Sequence, residues 1–486
     1  ALVSLTLTGP GLPARLRRPA SSSGGRTGSD LCLGSRDRLG TSLMSSSGDR
    51  AFGDRAVLQT TGHHSTCRYR KQVYRATVRD HADVAVIGAG FSGLAAGLEF
   101  EDAGLSVVVL EARDRVGGRV LSVELENGEL AELGAEWIMP EDEVLQATID
   151  RLGLSASEAG VDYLRREPRG RVAVPMAELD AFLEAADAHL ASSNATGSSM
   201  GSMLDAVPGD DRARVVAKAR LQGTFACDLD HVAWRAGWHA GRVAAEPAVY
   251  RRMARGNQSI ADAAARLLPD VRLGRRATSV IERRDRVGIG AGDDRIDADA
   301  VVVAVPVRLV TELAFDPPLP SEQREAFERL PMGVASKLAL PLGGEPGRCA
   351  IQCADLPFWF WVADGDDGRP RRVVTSFAGS ELPQEALATA SGDPREWVRR
   401  IVELAPELRP NGSAVMKVWG HDALSRGAYS AWDHPSVARR PQFERMHGAI
   451  AFAGEHTAGD HSGTMEGALR SGKRAASQVL ELLGHA

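Results

Sequence analysis

The stretch DVAVIGAGFSGLAAGLEF, residues 83–100, restricts the fold more than any other part of the sequence. The apolar run near its start is typical of a parallel strand that is covered on both faces. Three glycines follow: Gly88 permits a tight turn, Gly90 lets the backbone approach a pyrophosphate, and Gly93 lets a helix pack close to the strand. We predict that this helix begins near Ser92 and offers its unpaired N–H groups to phosphates.

A second predicted strand, from Leu105 to Leu110, ends in Glu111. A carboxylate at this position can accept hydrogen bonds from ribose hydroxyls, and it disfavours a 2′-phosphate. The turn, helix, strand and acid together predict a dinucleotide-binding α/β fold. These features alone do not distinguish NAD from FAD.

The residues directly after this acid, ARDRVGGRV, favour FAD. Gly117 and Gly118 permit close passage of the backbone. Arg113 and Arg119 supply planar cationic donors that suit a diphosphate. The alternative interpretation is that both arginines belong to a solvated loop.

Four motifs occur along the chain in the order VIGAGFSGLAAG, LEARDRVGGRV, ELGAEWI and AFAGEHTAGDHSGTMEGALRSGKRAA. Together they resemble the flavin-containing amine oxidase family, which includes monoamine, polyamine and L-amino-acid oxidases. The resemblance implies an α/β architecture, in which a discontinuous Rossmann-like FAD-binding domain is joined to a mixed α+β substrate domain. The FAD-binding domain is expected from residues 81–150, 255–315 and 441–486, and the substrate-binding domain from residues 151–254 and 316–440.

The resemblance also implies which residues bind FAD. They are Gly88, Gly90, Gly93, Glu111, Ala112, Arg113, Gly118, Arg119, Ala277, Gly454, Glu455, Thr464 and Met465. Glu111 is expected at the adenosine ribose, and the backbone of Ala277 at the adenine. We predict a helix from Met465 to Leu483 with Thr464 as its N-cap, and its N-terminus would stabilise negative charge at the pyrimidine edge of the flavin.

Two departures from the family pattern bear on the cofactor and the substrate. Covalently flavinylated members carry cysteine at the position of Ala428, so we expect FAD to be held non-covalently. Many members carry a second aromatic residue at the position of Thr464, so the paired aromatic cage is incomplete in this chain. We therefore expect a substrate that is larger than a simple amine.

Two further motifs supply candidate catalytic residues. Lys337 lies in the apolar stretch LPMGVASKLAL, where a lysine needs a partner, a lowered pKa or a surface-facing strand position. The resemblance implies that it is bridged through water to flavin N5 and assists reoxidation by oxygen. Tyr429, in SRGAYSAWDHP, matches the aromatic wall beside the flavin, and a ring face suits an amine. Trp432 is a weaker candidate for the same wall.

Glu136 and Trp137, in ELGAEWI, are predicted to contact the substrate. The carboxylate of Glu136 could hold a substrate cation or act as a general base, and the alternative is a salt bridge within the fold. Amino-acid oxidases of the family carry an arginine shortly after this point, whereas this chain continues MPEDEV. An α-amino acid substrate is therefore disfavoured.

These implications predict an FAD-dependent oxidase that removes hydride from a carbon next to nitrogen, yielding an imine or iminium ion and, with oxygen, hydrogen peroxide. One alternative is oxidation of an amide or N-acyl group in a natural-product intermediate, followed by intramolecular Mannich-type cyclisation. Another is an FAD-dependent carbon–carbon desaturase. A flavin-bearing scaffold protein is disfavoured, because the sequence shows no long charged helical insertion.

Composition sets limits on the partners. The 58 basic and 64 acidic residues are nearly balanced, which disfavours nucleic acid or an anionic membrane as the main partner. No apolar run reaches the ~18 residues that a membrane span needs, and the five irregularly spaced cysteines suit a reducing compartment and no metal site. We expect a cytoplasmic protein, and homodimerisation is left open. Residues 1–80, rich in Ser, Gly and Arg, are predicted to be a disordered leader or tail.

Overall fold

The computed structural model describes residues 81–157, 160–162, 165–194, 197–234, 249–292 and 294–485. The segment 1–80, for which the sequence predicts disorder, lies outside the described residues. Within the described ranges, no helix combines the length and the apolar character that crossing a membrane requires. The cytoplasmic location and the homodimer stay predictions.

The first predicted strand, His81–Ile87, lies inside a large sheet. It pairs in parallel with Val107–Glu111 on one side and with Asp294–Val303 on the other. Its alternate side chains enter two different hydrophobic cores, which explains why the run is continuously apolar. In the described part of the chain this sheet has eight strands: His81–Ile87, Val107–Glu111, Val271–Leu273, Ser279–Glu282, Val287–Ala291, Asp294–Val303, Ala314–Asp316 and Ile450–Phe452.

The turn after the first strand has the predicted geometry. Gly88 has a φ of +105°, and a Cβ there would lie 2.7 Å from the carbonyl oxygen of Ala304, so the position requires glycine. The helix that follows, Phe91–Asp102, packs along the C-terminal helix Met465–Leu483. This contact is close, because a Cβ on Gly472 would lie 2.1 Å from the backbone oxygen of Ser92.

A second sheet supplies the other side of the site. The strand Phe358–Val362, with sequence FWFWV, shows how its two faces differ, because alternate side chains of a strand point to opposite faces. Phe358 and Phe360 pack in one core, and Trp359 and Trp361 in another. Among the described residues this sheet has six strands in the order Val415–Val418, Ala335–Pro341, Val373–Gly379, Phe358–Val362, Cys349–Cys353 and Glu167–Arg169.

The remaining elements lie between the strands of the two sheets along the chain. Short two-stranded pairs join Ser122–Glu124 to Leu130–Glu132 and Val161–Asp162 to Val249–Tyr250. The other helices of the described ranges are Glu143–Arg151, Met176–Ser192, Met200–Asp205, Asp211–Phe225, Gln258–Leu267, Val307–Val310, Ser321–Arg329, Glu381–Ala386, Arg395–Leu404, His434–Ala438 and Arg440–Glu444, with 3₁₀ turns at Leu229–His231, Thr389–Ser391, Glu455–Thr457 and Gly459–His461. The first sheet thus takes its strands from three stretches of the chain, and the exact domain boundaries stay a prediction.

His456 is buried in the core beside the first sheet, with its ring near those of Phe327 and Phe443. Neither ring nitrogen has a hydrogen-bond partner within the described part of the chain. Burial lowers the pKa of His456 to about 4, because an imidazolium there would be desolvated. The ring is therefore neutral at pH 7.

We expect this histidine to make the protein less stable in acid. Its pKa is about 4 in the folded chain against 6.5 for the ordinary group, so the unfolded state takes up the proton first as the pH falls. Between pH 7 and pH 5 this group alone should lower the free energy of unfolding by about 2 kcal/mol. Guanidinium denaturation at both pH values should show that His456→Leu loses that much less stability on acidification than the wild type. Equal losses in the two proteins would contradict the assignment.

Candidate active site

One cavity of about 370 Å³ is lined by residues from both sheets and from the loops that follow them. Most of the predicted site residues line it: Gly88, Gly90, Glu111, Ala112, Arg113, Gly118, Arg119, Ala277, Lys337, Tyr429, Gly454, Glu455, Thr464 and Met465. Four predicted residues do not line this cavity, namely Gly93, Glu136, Trp137 and Trp432. The structure therefore brings together motifs that are more than 300 residues apart in the chain.

Gly90 and Gly93 have different surroundings, although they belong to one motif. A Cβ on Gly90 would meet nothing within 4 Å, and because Gly90 lines the cavity, this open space is available to a bound group. A Cβ on Gly93 would lie 1.9 Å from the carbonyl oxygen of Gly88. Gly93 therefore serves the packing of the helix against the turn.

Glu111 ends the second strand and is buried at the cavity wall. Its carboxylate accepts hydrogen bonds from the backbone N–H groups of Ala89 and Arg113, each at 2.8 Å. Burial raises the pKa of Glu111 above its ordinary value. A carboxylate offers about four acceptor positions, so this one keeps the capacity to accept from ribose hydroxyls.

The two predicted diphosphate arginines are held by carboxylates. Arg113 makes a two-point contact with Asp422 at 3.0 and 2.7 Å. Arg119 donates 2.8 Å hydrogen bonds to Glu455 and to the backbone oxygen of Ala428. The arginine side chains are only 14% and 22% exposed, so a freely solvated loop does not describe them. Both guanidinium groups are fixed in place beside the cavity.

Glu455 connects several of these elements. Besides Arg119, its carboxylate accepts hydrogen bonds from the backbone N–H of Ser430 at 3.1 Å, the hydroxyl of Ser430 at 2.6 Å and the N–H of Gly463 at 2.8 Å. Burial opposes ionisation, but the nearby positive charge of Arg119 outweighs it, and the pKa of Glu455 is lowered. The carboxylate is therefore an ionised anchor for the cavity wall.

The C-terminal helix Met465–Leu483 begins at the cavity, with the bounds that the sequence predicts. Thr464 caps it, because its hydroxyl oxygen accepts a 2.8 Å hydrogen bond from the N–H of Gly467. Thr464 and Met465 both line the cavity. The positive end of the helix dipole is therefore available to negative charge in the cavity.

Lys337 and Glu136 form a buried ion pair. Lys337 is on the strand Ala335–Pro341 of the second sheet, and its Nζ donates to Glu136 Oε2 at 2.6 Å and to the backbone oxygen of Gly134 at 3.1 Å. The other oxygen, Oε1, accepts from Arg252 at 3.2 Å. Lys337 is thus buried and has a partner, so it is not a surface-facing residue. Glu136 forms a salt bridge within the fold, which was the alternative to a contact with the substrate.

A second, smaller cavity lies beside this ion pair; we call it the tryptophan pocket. Its volume is about 30 Å³, and it shares Gly134, Lys337, Phe377 and Tyr429 with the main cavity. Its other walls are Glu136, Trp137, Trp359 and Trp361. The rings of Trp359 and Trp361 are stacked with centroids 4.1 Å apart. The two predicted substrate contacts that are absent from the main cavity, Glu136 and Trp137, are therefore found here.

Trp432 lies apart from both cavities. Its indole N–H donates to the hydroxyl of Ser462 at 2.7 Å, and its ring packs edge-on against Phe443 at 5.3 Å. It is buried in the core of the first sheet. The structure gives it a packing environment, and we do not include it in the substrate wall.

Sequence reasoning missed several residues of the site. Trp359 and Trp361 had a usable signal, because the alternation in FWFWV indicates that two tryptophans share one face. Arg252 had none, since it reaches Glu136 only because Ile138 and Arg251 form an isolated β-bridge. Arg252 therefore places a buried guanidinium group near Glu136, although the sequence MPEDEV that follows Ile138 contains no arginine.

Three features define a dinucleotide-dependent oxidoreductase of the α/β class. They are the parallel strands of the first sheet, the glycine turn at Gly88, and Glu111, the carboxylate that is predicted to bind a ribose. A family model described as flavin containing amine oxidoreductase matches residues 91–480. The chain belongs to this family, so it is an enzyme that uses FAD in amine oxidation, and the resemblance read from its motifs is confirmed.

Individual relatives are distant. The flavin-containing amine oxidase B of Mus musculus is 25% identical over 469 residues, which cover 83% of this chain and 87% of the relative. Amine oxidase A of Sus scrofa is 26% identical over 456 residues, covering 83% and 85%. A putrescine oxidase structure with bound putrescine aligns with a TM-score of 0.70 at 23% identity, covering 82% of this chain and 99% of that one. Cyclohexylamine oxidase from Brevibacterium oxydans IH-35A gives 0.67 at 20%, covering 83% and 99%.

The residues of the cavity fit FAD. The open space at Gly90 accommodates a close-lying pyrophosphate, the carboxylate of Glu111 suits a ribose, and two fixed guanidinium groups suit a diphosphate. Ala277, whose backbone is predicted to contact the adenine, lines the same cavity as Glu111. The start of the C-terminal helix is suited to the electron-rich end of a flavin.

Gly90→Ala and Gly93→Ala should separate cofactor binding from folding. Ala is compatible with the backbone of Gly90, whose φ is −73°, and its methyl group would take cofactor space, costing about 1–3 kcal/mol of FAD affinity. This corresponds to about a fivefold or greater rise in the Kd for FAD. Gly93→Ala should instead destabilise the folded chain by a similar amount, because the methyl group meets the backbone.

Both effects can be measured on apoprotein that is titrated with FAD and unfolded with guanidinium. The apoprotein of Gly90→Ala should unfold like the wild type. If Gly90→Ala binds FAD as tightly as the wild type, the pyrophosphate does not lie at this turn.

Proposed function

We propose that this chain is an FAD-dependent oxidase that removes hydride from the carbon next to the nitrogen of an amine, giving an imine or iminium ion. Oxygen then accepts the electrons and leaves as hydrogen peroxide. The observation that carries the proposal is a single cavity that reaches from the ribose acid Glu111 to Lys337 and Tyr429. Putrescine and cyclohexylamine oxidases, which share the fold, act on amines by their names and support this class of substrate.

FAD supplies the hydride acceptor when it is bound. The residues of the chain position the amine and exclude water. The hydroxyl of Tyr429 donates to the backbone oxygen of Thr224 at 2.6 Å, which fixes the ring at the wall shared by both cavities. A fixed ring face can stack on an amine in either charge state. Thr464 also lines the cavity and takes less space than an aromatic residue would, which supports a substrate larger than a simple amine.

We propose that Lys337 assists the reaction with oxygen and that Glu136 is a positioning residue for it. Reduction of oxygen develops negative charge, which a fixed ammonium group stabilises. Both oxygens of Glu136 are bonded to cations, so this carboxylate is better suited to holding Lys337 than to removing a substrate proton. The water bridge from Lys337 to the flavin remains part of the proposal.

We also propose that FAD is held without a covalent bond. Ala428 lines the cavity at the position where covalently flavinylated members carry cysteine. The free cysteines of the described residues, Cys227, Cys349 and Cys353, do not line it. The N-acyl oxidation with cyclisation and the carbon–carbon desaturation stay alternatives, and no contact among the described residues favours them over amine oxidation.

Anaerobic mixing of the purified FAD-loaded protein with panels of amines, amino acids and N-acyl compounds should identify the substrate class. We expect amines to bleach the flavin absorbance, and hydrogen peroxide to appear in equal amount when oxygen is admitted. Amino acids should react poorly, because the described lining of the tryptophan pocket contains no arginine, and the two arginines nearest the predicted diphosphate are already paired with Asp422 and Glu455. Bleaching by N-acyl compounds alone would favour the cyclisation alternative, and a protein without a flavin spectrum would refute the proposal.

Glu136→Gln should slow the reaction with oxygen. Gln keeps the size of the side chain but removes the charge that holds Lys337 and Arg252, so the ammonium group shifts. A shift of about 1 Å can cost on the order of 100-fold in rate. Stopped-flow absorbance should show slower reoxidation and an altered pH profile of that step, with FAD content unchanged.

Glu129→Gln is the matched control, because Glu129 pairs with Arg371 at 2.9 Å outside both cavities. It should leave reoxidation at the wild-type rate. If Glu136→Gln keeps full turnover and the same pH profile, Glu136 has no part in the reaction.

A further inference from the structure

The tryptophan pocket has a distinctive set of polar groups. The two oxygens of Glu136 accept from Lys337 and Arg252 at 2.6 and 3.2 Å, and the backbone oxygen of Gly134 accepts from Lys337 at 3.1 Å. The hydroxyl of Tyr429 donates to a backbone oxygen outside the pocket lining. The Glu136 carboxylate and the backbone oxygen of Gly134 therefore each already accept from a cation.

Trp361 provides a donor at the same place. It lines the pocket, is only 1% exposed, and its indole N–H has no acceptor within the described residues. An unpaired buried donor costs free energy that a ligand acceptor would recover. The ammonium group of Lys337 lies 5.3 Å from the centre of the same ring, which adds positive charge rather than an acceptor.

We propose that the tryptophan pocket receives a small, uncharged hydrogen-bond acceptor of the substrate, such as an ether, hydroxyl or carbonyl oxygen, which accepts from the indole N–H of Trp361. The inference rests on the proposed amine oxidation and names the substrate class: an amine that carries an oxygen acceptor away from the oxidised carbon. The volume of about 30 Å³ suits a group of a few atoms, because a single water needs ~10–15 Å³ measured in this way.

The same groups select against a second ammonium group. Lys337 and Arg252 provide two positive charges around one carboxylate, Glu136, and each of its oxygens already accepts from one of them. A terminal ammonium group in this pocket would lose its hydration beside two cations that only one carboxylate balances. The pocket therefore disfavours a diamine such as the putrescine that is bound in the putrescine oxidase structure.

The test uses FAD-loaded full-length protein and three primary amines of equal chain length, which end in a methoxy group, an ethyl group or an ammonium group. The Kd is read from the change that binding causes in the flavin spectrum, and oxidation from anaerobic bleaching. The methoxy amine should bind about fivefold more tightly than its ethyl analogue, as one net hydrogen bond implies. The diamine should bind about tenfold or more weakly than the methoxy amine.

Two variants on the same strand face separate the N–H from the ring. Trp361→Phe should abolish the preference for methoxy over ethyl, whereas Trp359→Phe, a loss of similar ring area beside it, should retain the preference. Equal Kd values for the methoxy and ethyl amines in the wild type, a preference that survives in Trp361→Phe, or tighter binding of the diamine would each overturn the inference. Binding with the expected preference but without bleaching would refute the amine oxidation and leave the pocket assignment standing.

Discussion

The proposed substrate end of the site depends on one interaction, the ion pairing of the Glu136 carboxylate with two cationic side chains. Lys337, from the second sheet, and Arg252, from a segment bridged to Ile138, both bond to it. Removing each of these charges from water costs several kcal/mol, and good geometry with additional hydrogen bonds is needed to offset that cost. Because the three charges come from separate parts of the chain, their pairing fixes the aromatic face of the second sheet against the cavity. Loss of Glu136 would leave two buried cations without this counter-charge, and loss of either cation would leave one oxygen of Glu136 without its partner.

The cofactor end is held by similar means. Arg113 is bound by Asp422, and Arg119 by Glu455, which also bonds to Ser430. Burial opposes ionisation of Asp422, but Arg113 and Lys417 outweigh it and hold its pKa well below the ordinary range. Tyr429 belongs to the same loop as Asp422 and Ser430 and lies between them. The loop therefore holds both the proposed substrate wall and the arginines proposed for the diphosphate, so the two ends of the cavity are not independent.

The sequence predicted the cofactor end far better than the substrate end. The glycine turn, the strand that ends in Glu111 and the helix that begins at Met465 are local features, because their residues are close in the chain and have strong conformational preferences. The contact of Arg252 with Glu136 and the loop containing Asp422 depend on long-range packing, for which no local pattern exists. Trp432 lies apart from both cavities for the same reason, since an aromatic residue in a matching motif packs into the core here.

The protonation state of Glu132 determines how much of the positive charge of Lys337 and Arg252 is balanced by nearby carboxylates. Burial, and then repulsion by Glu136, raise its pKa to about 7, so near neutral pH it is divided between neutral and ionised forms. Asn257 joins the two carboxyl residues, donating from its backbone to Glu132 at 2.8 Å and from its amide to the backbone oxygen of Glu136 at 2.7 Å. While Glu132 is neutral, Lys337 and Arg252 outnumber Glu136 by one charge. Excess positive charge lowers the pKa of a bound amine, and hydride loss requires the amine to be unprotonated. Under the proposed amine oxidation, the network that orders the site therefore favours the unprotonated form of the substrate.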